Sequence, residues 1–553
     1  MRFVLVFFAL LTILSVALPE KKPGEYDCIV RNGTVYDGTG SEPFLADIAI
    51  QADTIAAIGN LKNFRAKKDL DASGLAVAPG FINMLSWADE NIVQDRYCVS
   101  DIKQGVTLEV FGEGHSQGPL RRNPSDSLWR TLGEYFDFLT RQGFTPNVAS
   151  FVGATTVRIH EMGFVNRAPD REELSRMKSH VQRAMLDGAM GLGTSLIYPP
   201  ASYASTEELI ELAKVASGYG GIYITHMRSE GDFILPAINE TIRISREANI
   251  PAEIYHLKIN LSRNWSKIDT VLSKIDSARN AGVPLTANMY PYIASGTGLN
   301  SRLPAWVQEG GSVEMRKRLR IPAIRRKVVY EMEKGIPSKN SDPDKVKLMR
   351  FRLESLNRLY AGKTLSEAAT IYGKNPDETA IDLIMQDKSR IEALYFQQSE
   401  EVLTRIMKLP YVSFGSDGGS YSLESGSKSL ADHPRAFGTF ARLLGKYVRE
   451  DKVLTLKEAV RRMTSLPAAN LKLERRGRLQ QGYFADVVLF NPDSIIDRAT
   501  YEAPHQYSVG VKHVFINGVQ VLNNGSHTRA TPGRIIRGPG WIPNDLSNHG
   551  EKR

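Results

Sequence analysis

An α/β fold, a (β/α)8 TIM-type barrel with a small β-sandwich built from both chain ends, is predicted by three features of the 553-residue sequence. Apolar runs of strand length alternate with stretches of helical apolar spacing, the pattern of a parallel βα array. Eight such runs suit the strand count and length of a barrel. Short alternating strands recur near each end, too few on either side to close a core alone.

The chain opens with Arg2, an apolar run from Phe3 to Leu14 broken only by Thr12, and the small residues Ser15-Val16-Ala17. This reads as a signal peptide over residues 1–17, cut after Ala17, which makes the mature protein secreted or periplasmic. The run is short for the ~20 residues of a membrane span, and no later stretch is long and apolar enough for one. Residues 25–77 carry the first sandwich strands, such as Asp47-Ile48-Ala49-Ile50, with turns at Asn32-Gly33 and Asp37-Gly38. Residues 78–474 form the barrel, with strands expected to end at Leu85, Glu113, Gly153, Ile197, His226, His256, Tyr290 and Asp417. Residues 304–360, rich in Arg and Lys, read as a helical insertion after the seventh strand. A ninth apolar run, Ala393-Leu394-Tyr395-Phe396, is an extra strand near the rim. Residues 475–531 return to sandwich texture in Val487-Val488-Leu489-Phe490 and Val514-Phe515-Ile516. Residues 532–553 are a Gly/Pro-rich extended tail.

Composition narrows the function. Hydrophobic residues are 42% and charged residues 24%, near the globular average, which excludes a disordered or fibrous chain. The net charge of +9 is a mild excess at this length, and basic runs are as short as Arg325-Arg326-Lys327, so there is no nucleic-acid footprint. Two cysteines make neither a disulfide framework nor a Cys-type zinc site.

Barrel active sites lie at the C-terminal ends of the strands. Gly221-Ile222-Tyr223-Ile224-Thr225 stops on His226, and Pro251-Ala252-Glu253-Ile254-Tyr255 stops on His256, 30 residues and one βα repeat later. Imidazoles at the same position on neighbouring strands can converge on one metal ion; a single such histidine would more often be bonded locally. Glu113, between Gly112 and Gly114, is the candidate third ligand, though such a glutamate is also at home in a solvated loop. Asp417 ends Val412-Ser413-Phe414-Gly415-Ser416. Facing a metal-activated water it is a general base; a lone strand-end Asp equally caps a helix.

With these residues placed, the chain resembles the amidohydrolase superfamily, in its N-acyl-D-amino-acid deacylase (D-aminoacylase) branch. The resemblance rests on Ala78-Pro79-Gly80-Phe81-Ile82, Ile197-Tyr198-Pro199-Pro200, Thr225-His226-Met227-Arg228, His256-Leu257-Lys258, Tyr290-Pro291-Tyr292, Gly415-Ser416-Asp417-Gly418, His433-Pro434-Arg435 and Thr464-Ser465-Leu466-Pro467. It implies a catalytic zinc and hydrolysis of an N-acyl amide to a carboxylate and a free D-amino acid. It also implies that Lys258 and Arg435 hold the substrate carboxylate in a pocket lined by Tyr198 and Tyr290.

Two departures stand out. Leu85-Ser86-Trp87 occupies the place of the superfamily's His-x-His, so the more exposed metal of a binuclear centre has lost both histidines. No cysteine is available as the second-strand ligand, because Cys98 lies some fifteen residues upstream. Glu113 falls at or next to that place, with His115 as the alternative. A carboxylate is harder than a thiolate and brings Mn²⁺ or Co²⁺ nearer to zinc. The expectation is one divalent ion, zinc, on Glu113, His226 and His256, with Asp417 as base and a small N-acyl amino acid as substrate. Two other readings remain: hydrolysis of cyclic amides or dipeptides, and a secreted non-catalytic barrel used for binding.

Overall fold

The computed structural model describes residues 26–121, 128–335, 342–425 and 433–542; residues 1–17, read as a leader, lie outside them. The first strands are β1 (Tyr26–Val35), β2 (Phe44–Gln51), β3 (Thr54–Gly59), β4 (Ala66–Asp71) and β5 (Ala76–Pro79). The chain then enters β6 (Phe81–Asn83), β7 (Val106–Phe111), β8 (Asn147–Ser150), β9 (Val152–Gly153), β10 (Gly191–Ser195), β11 (Ile222–His226), β12 (Ala252–Ile254) and β13 (Leu285–Met289). All pairings along β6-β7-β8 and along β9-β10-β11-β12-β13 are parallel.

The residues of β7, β10 and β11 are buried throughout, as parallel strands covered on both faces must be. Helices supply the cover. The helix Ile234–Glu247 buries Ile234, Ala237, Ile238, Thr241 and Ile242, the i, i+3, i+4, i+7, i+8 stripe. Each of its isoleucines contributes about 1.5–3 kcal/mol on burial.

After β13 the chain leaves these parallel strands. Strands β14 (Ser295–Gly298), β15 (Val346–Arg350) and β16 (Glu392–Tyr395) form an antiparallel sheet in the order β14-β16-β15. With helices such as Pro322–Glu333 and Pro376–Asp387 it encloses its own core, including Val328, Leu348, Ile381 and Tyr395. The excursion is therefore longer than residues 304–360 and only partly helical. Its boundaries are set by β16, the ninth apolar run, which pairs with a strand before the expected insertion and with one inside it.

β17 (Val412–Phe414) then pairs parallel to β13. Its end also meets β6: Met84 N–H donates to the Phe414 carbonyl at 3.3 Å and Asp417 N–H to the Leu85 carbonyl at 2.8 Å. Strand ends fall within three residues of the expected positions.

The last strands are β18 (Val487–Phe490), β19 (Val511–Ile516), β20 (Val519–Asn523) and β21 (Ser526–His527). They continue the first ones in one nine-stranded sheet, β21-β20-β19-β18-β5-β1-β2-β3, with β4 beside β1. The seam is antiparallel, Val77 opposite Leu489. Beyond it the tail crosses under β8, exchanging Val148 N–H to the Arg534 carbonyl and Ile536 N–H to the Val148 carbonyl. Cys28 and Cys98 are both buried and free. Among the described residues, no helix is long and apolar enough to cross a membrane.

Candidate active site

The ends of these strands open on a cavity of about 990 Å³. All eight residues singled out from the sequence line it: Glu113, Tyr198, His226, His256, Lys258, Tyr290, Asp417 and Arg435. So do His115 and Trp87, and Glu230, which the sequence reading passed over.

Glu113 stands just beyond β7 because its two glycine neighbours allow the chain to turn there. Gly112 has φ +108, and a Cβ on it would lie 2.6 Å from the Phe151 carbonyl oxygen; Gly114 has φ +71 and abuts Ser195. His226 closes β11 and His256 follows β12, whose Ile254 is paired with Thr225. His256 holds a left-handed φ of 34, fixed by its N–H donating to Asn288 Oδ1 at 2.8 Å. Such strained backbone persists only where surroundings enforce it, and it gathers at functional sites.

The three side chains converge. Glu113 Oε1 lies 2.7 Å from His226 Nδ1 and 3.2 Å from His256 Nε2, and the two nitrogens are 3.0 Å apart. Donor atoms of a tetrahedral site with bonds of about 2.0–2.1 Å are roughly 3.3 Å from one another, so small relaxation fits a divalent ion between them. His115 is not part of this convergent set.

Behind the histidines sits Glu230. Its Oε1 is 3.0 Å from His256 Nδ1, 3.7 Å from His226 Nε2 and 2.5 Å from Lys258 Nζ, and its Oε2 accepts from Asn260 at 3.0 Å. Histidine ligands usually turn their second nitrogen to a carboxylate, and one glutamate here faces both rings. His226 Nε2 has no nearer hydrogen-bond partner. Both features suit a metal on the opposite nitrogens. Burial raises the Glu230 carboxyl, but Lys258 and the two histidines outweigh it and hold it well below the usual range. Glu113 is held low in the same way by its two histidine bonds. For His256, burial and Lys258 press downward, yet Glu230 and Glu113 prevail and push it up to about 10.

Lys258 lines the cavity as expected, and it has a second set of partners. Its ammonium is buried against Glu230 and 2.8 Å from His256 Nδ1, in the layer supporting the histidines. A buried cation must keep its counter-charge.

Asp417, at a left-handed φ of 50, lines the same cavity. Trp87 Nε1 donates to its Oδ1 at 3.0 Å and Arg435 Nη1 lies 2.5 Å from its Oδ2. The tryptophan standing where two histidines were expected thus orients a carboxylate. Arg435 opens the helix Arg435–Arg442, its guanidinium 4.9 Å from the Tyr290 ring centroid. His433 accepts from the Arg435 N–H at 3.1 Å and shares a 2.9 Å bond with the Ala294 carbonyl, which requires its proton on Nε2. Burial and Arg435 push the His433 pKa well down, so the ring is neutral. Tyr198 shares a 2.9 Å hydrogen bond with Thr297 of β14.

Comparison with known proteins places this constellation. Residues 411–522 match the model of the Amidohydrolase family. D-aminoacylase of Alcaligenes xylosoxydans xylosoxydans is 33% identical over 523 residues, 92% of this chain and 97% of that protein. The chain belongs to the D-aminoacylase family of amidohydrolases. Among solved D-aminoacylase-family structures, an N-acyl-D-glutamate deacylase of Bordetella bronchiseptica, complexed with zinc and a phosphonate mimic of the tetrahedral intermediate, is 30% identical with a TM-score of 0.77, covering 93% of this chain and 100% of that one. A D-aminoacylase described as having a binuclear metal centre, with one-metal activation and second-metal attenuation, also gives 0.77 at 31% identity, covering 92% and 99%.

Proposed function

We propose that this protein hydrolyses the amide bond of N-acyl-D-amino acids, releasing a carboxylate and a free D-amino acid. One observation carries the reading: Glu113, His226 and His256 converge in a cavity that also presents Asp417 paired with Arg435. On this reading the ring of parallel strands is a (β/α)8 barrel and the terminal strands form the β-sandwich. The leader at residues 1–17 sends the enzyme out of the cytoplasm.

Glu113, His226 and His256 would hold one divalent ion, zinc. Such an ion supplies an activated water and polarises the scissile carbonyl. Glu230 keeps both rings turned with the correct nitrogen forward, and Lys258 keeps Glu230 ionised. Asp417 takes the water's proton on a carboxylate oxygen and delivers it to the leaving nitrogen. It can do so only once Arg435 lets go. A substrate α-carboxylate offers Arg435 a replacement partner of the same charge, with Tyr290 and Tyr198 beside it. Binding the substrate therefore releases the base. The stereochemical preference rests on kinship with enzymes named for D-substrates.

The test is turnover of paired N-acyl-D- and N-acyl-L-amino acids with added Zn²⁺, alongside the α-amides. Preference for the D-acid, and little activity on its amide, is expected. Hydrolysis of cyclic imides with none of N-acyl-D-amino acids would overturn the reading.

A further inference from the structure

A second set of metal-type donors lies outside the cavity. The helix Ala154–Met162 carries His160 and Glu161 in its last turn, and the helix Arg171–Leu186 carries His180. Glu161 Oε1 is 2.8 Å from His180 Nε2 and 3.2 Å from His160 Nδ1. The imidazole centroids are 4.2 Å apart, and one donor atom from each residue lies within 4.8 Å of the others. The Glu161 side chain is 9% exposed and the two histidines 26% and 27%, so the donors are sheltered but reachable.

We propose that His160, Glu161 and His180 form a second divalent-metal site, bridging these two helices and taking a nitrogen-preferring cation such as Zn²⁺ or Cu²⁺. The donor set is the His₂Glu combination used for zinc, and one face is left open to solvent. Arg176 Nε holds the other carboxylate oxygen, Oε2, at 2.7 Å, leaving Oε1 turned toward the rings. That is the orienting role of an outer partner to a metal carboxylate.

The frame is built to keep the helices in register. Between His160 and the core, Arg158 is buried against Glu208 at 2.6 Å and donates to the Arg167 carbonyl at 2.6 Å. Arg167 in turn grips Glu173, and Asp170 with Glu173 closes a capping box on the helix Arg171–Leu186. The connection between the helices is thus clamped at both ends. Two charges oppose a cation here: Arg176, and Arg121, whose charge lowers the His160 pKa beside burial and His180. This site is accordingly weaker than the buried one. His160 also lines a separate cavity of about 550 Å³ that adjoins the first along Trp87, His115 and Arg390.

The test starts from full-length protein stripped of metal and titrated with Zn²⁺ calorimetrically. Two classes of binding are expected, the weaker raising the melting temperature as occupied sites tie the helices together. His180→Ala and, separately, His160→Ala should abolish the weaker class, with its thermal shift, and leave the tighter class and kcat unchanged. Glu113→Ala should do the reverse. Cu²⁺ loaded into Glu113→Ala should show an electron paramagnetic resonance signal with two imidazole nitrogens, which should be lost when His180→Ala is added to that variant. Binding of one equivalent only, or a second class that survives in His180→Ala, overturns the proposal; in the latter case the second ion sits in the cavity.

Discussion

Two glutamates in this chain each stand between two histidines, and their surroundings differ in every other respect. Glu113, His226 and His256 follow or close the strands β7, β11 and β12 and are almost wholly buried. Their neighbours are another carboxylate, Glu230, and its ammonium partner. Glu161, His160 and His180 ride on helices, the two rings partly open to water, with Arg176 on the carboxylate. Burial removes water as a competing ligand and strengthens every charge interaction. It also makes an unmatched donor costly, so the buried set is completed by a purpose-placed second layer. The surface set has only a guanidinium behind it. Identical residue types therefore specify a catalytic centre in one place and at most a staple in the other.

The comparison breaks in measurable ways. The largest effect is expected at Asp417, where Asn keeps the shape and tolerates the left-handed backbone but takes no proton. With metal retained, kcat of Asp417→Asn should fall on the order of 10²–10⁴-fold; near-normal turnover of a folded, metal-loaded variant would leave the mechanism without its base. Glu113→Ala should weaken metal affinity beyond the roughly 10–100-fold that loss of an outer partner costs, while His115→Ala should leave it intact. Equilibrium dialysis against a chelator reads both. Arg435→Ala removes the exchange partner, and KM should rise about 10–100-fold, the worth of a charged hydrogen-bonded pair. Part of that loss should disappear when the substrate is an α-amide, and an equal loss on acid and amide would argue against the exchange. Glu230→Gln keeps the volume but not the charge. It should weaken the buried metal by roughly 10-fold or more without touching the surface set. Smallest of all, His180→Ala should leave kcat and KM where they were.

What could be read beforehand follows the same division. Strand ends were legible because buried parallel strands are mostly apolar runs, and an ionisable residue where the run stops, as at His226 and Asp417, pointed to the cavity. Glu230 was not, since it lies in the loop after β11 and belongs to no run. The rule that ligand histidines need a carboxylate behind them would have pointed to it, four residues past His226. The contact of Lys258 with Glu230 was equally hidden, because nothing in the sequence reveals which charge meets it. Likewise Arg435 and Asp417 carry no mark of their pairing, which arises only where the helix Arg435–Arg442 begins over the end of β17. The excursion β14 to β16 was misjudged in length because its sheet closes between strands nearly a hundred residues apart, Ser295 opposite Tyr395.

The seam between β5 and β18 has a consequence for how the protein is born. Val77 emerges from the ribosome long before its partner Leu489, so β1 to β5 must wait through the synthesis of all the intervening strands with one sheet edge open. Contacts of such sequence separation form slowly, and open strand edges invite pairing with other chains. The nascent chain is therefore most exposed to aggregation late, when most of it is already made. Its final strand and tail act as a closure, with residues 534–536 laid along Val148 only after everything else is present. Stalled chains ending before residue 487 should stay protease-sensitive over residues 26–79, whereas chains extended past residue 538 should become resistant there. Equal protection in both would show that the first strands fold without the last.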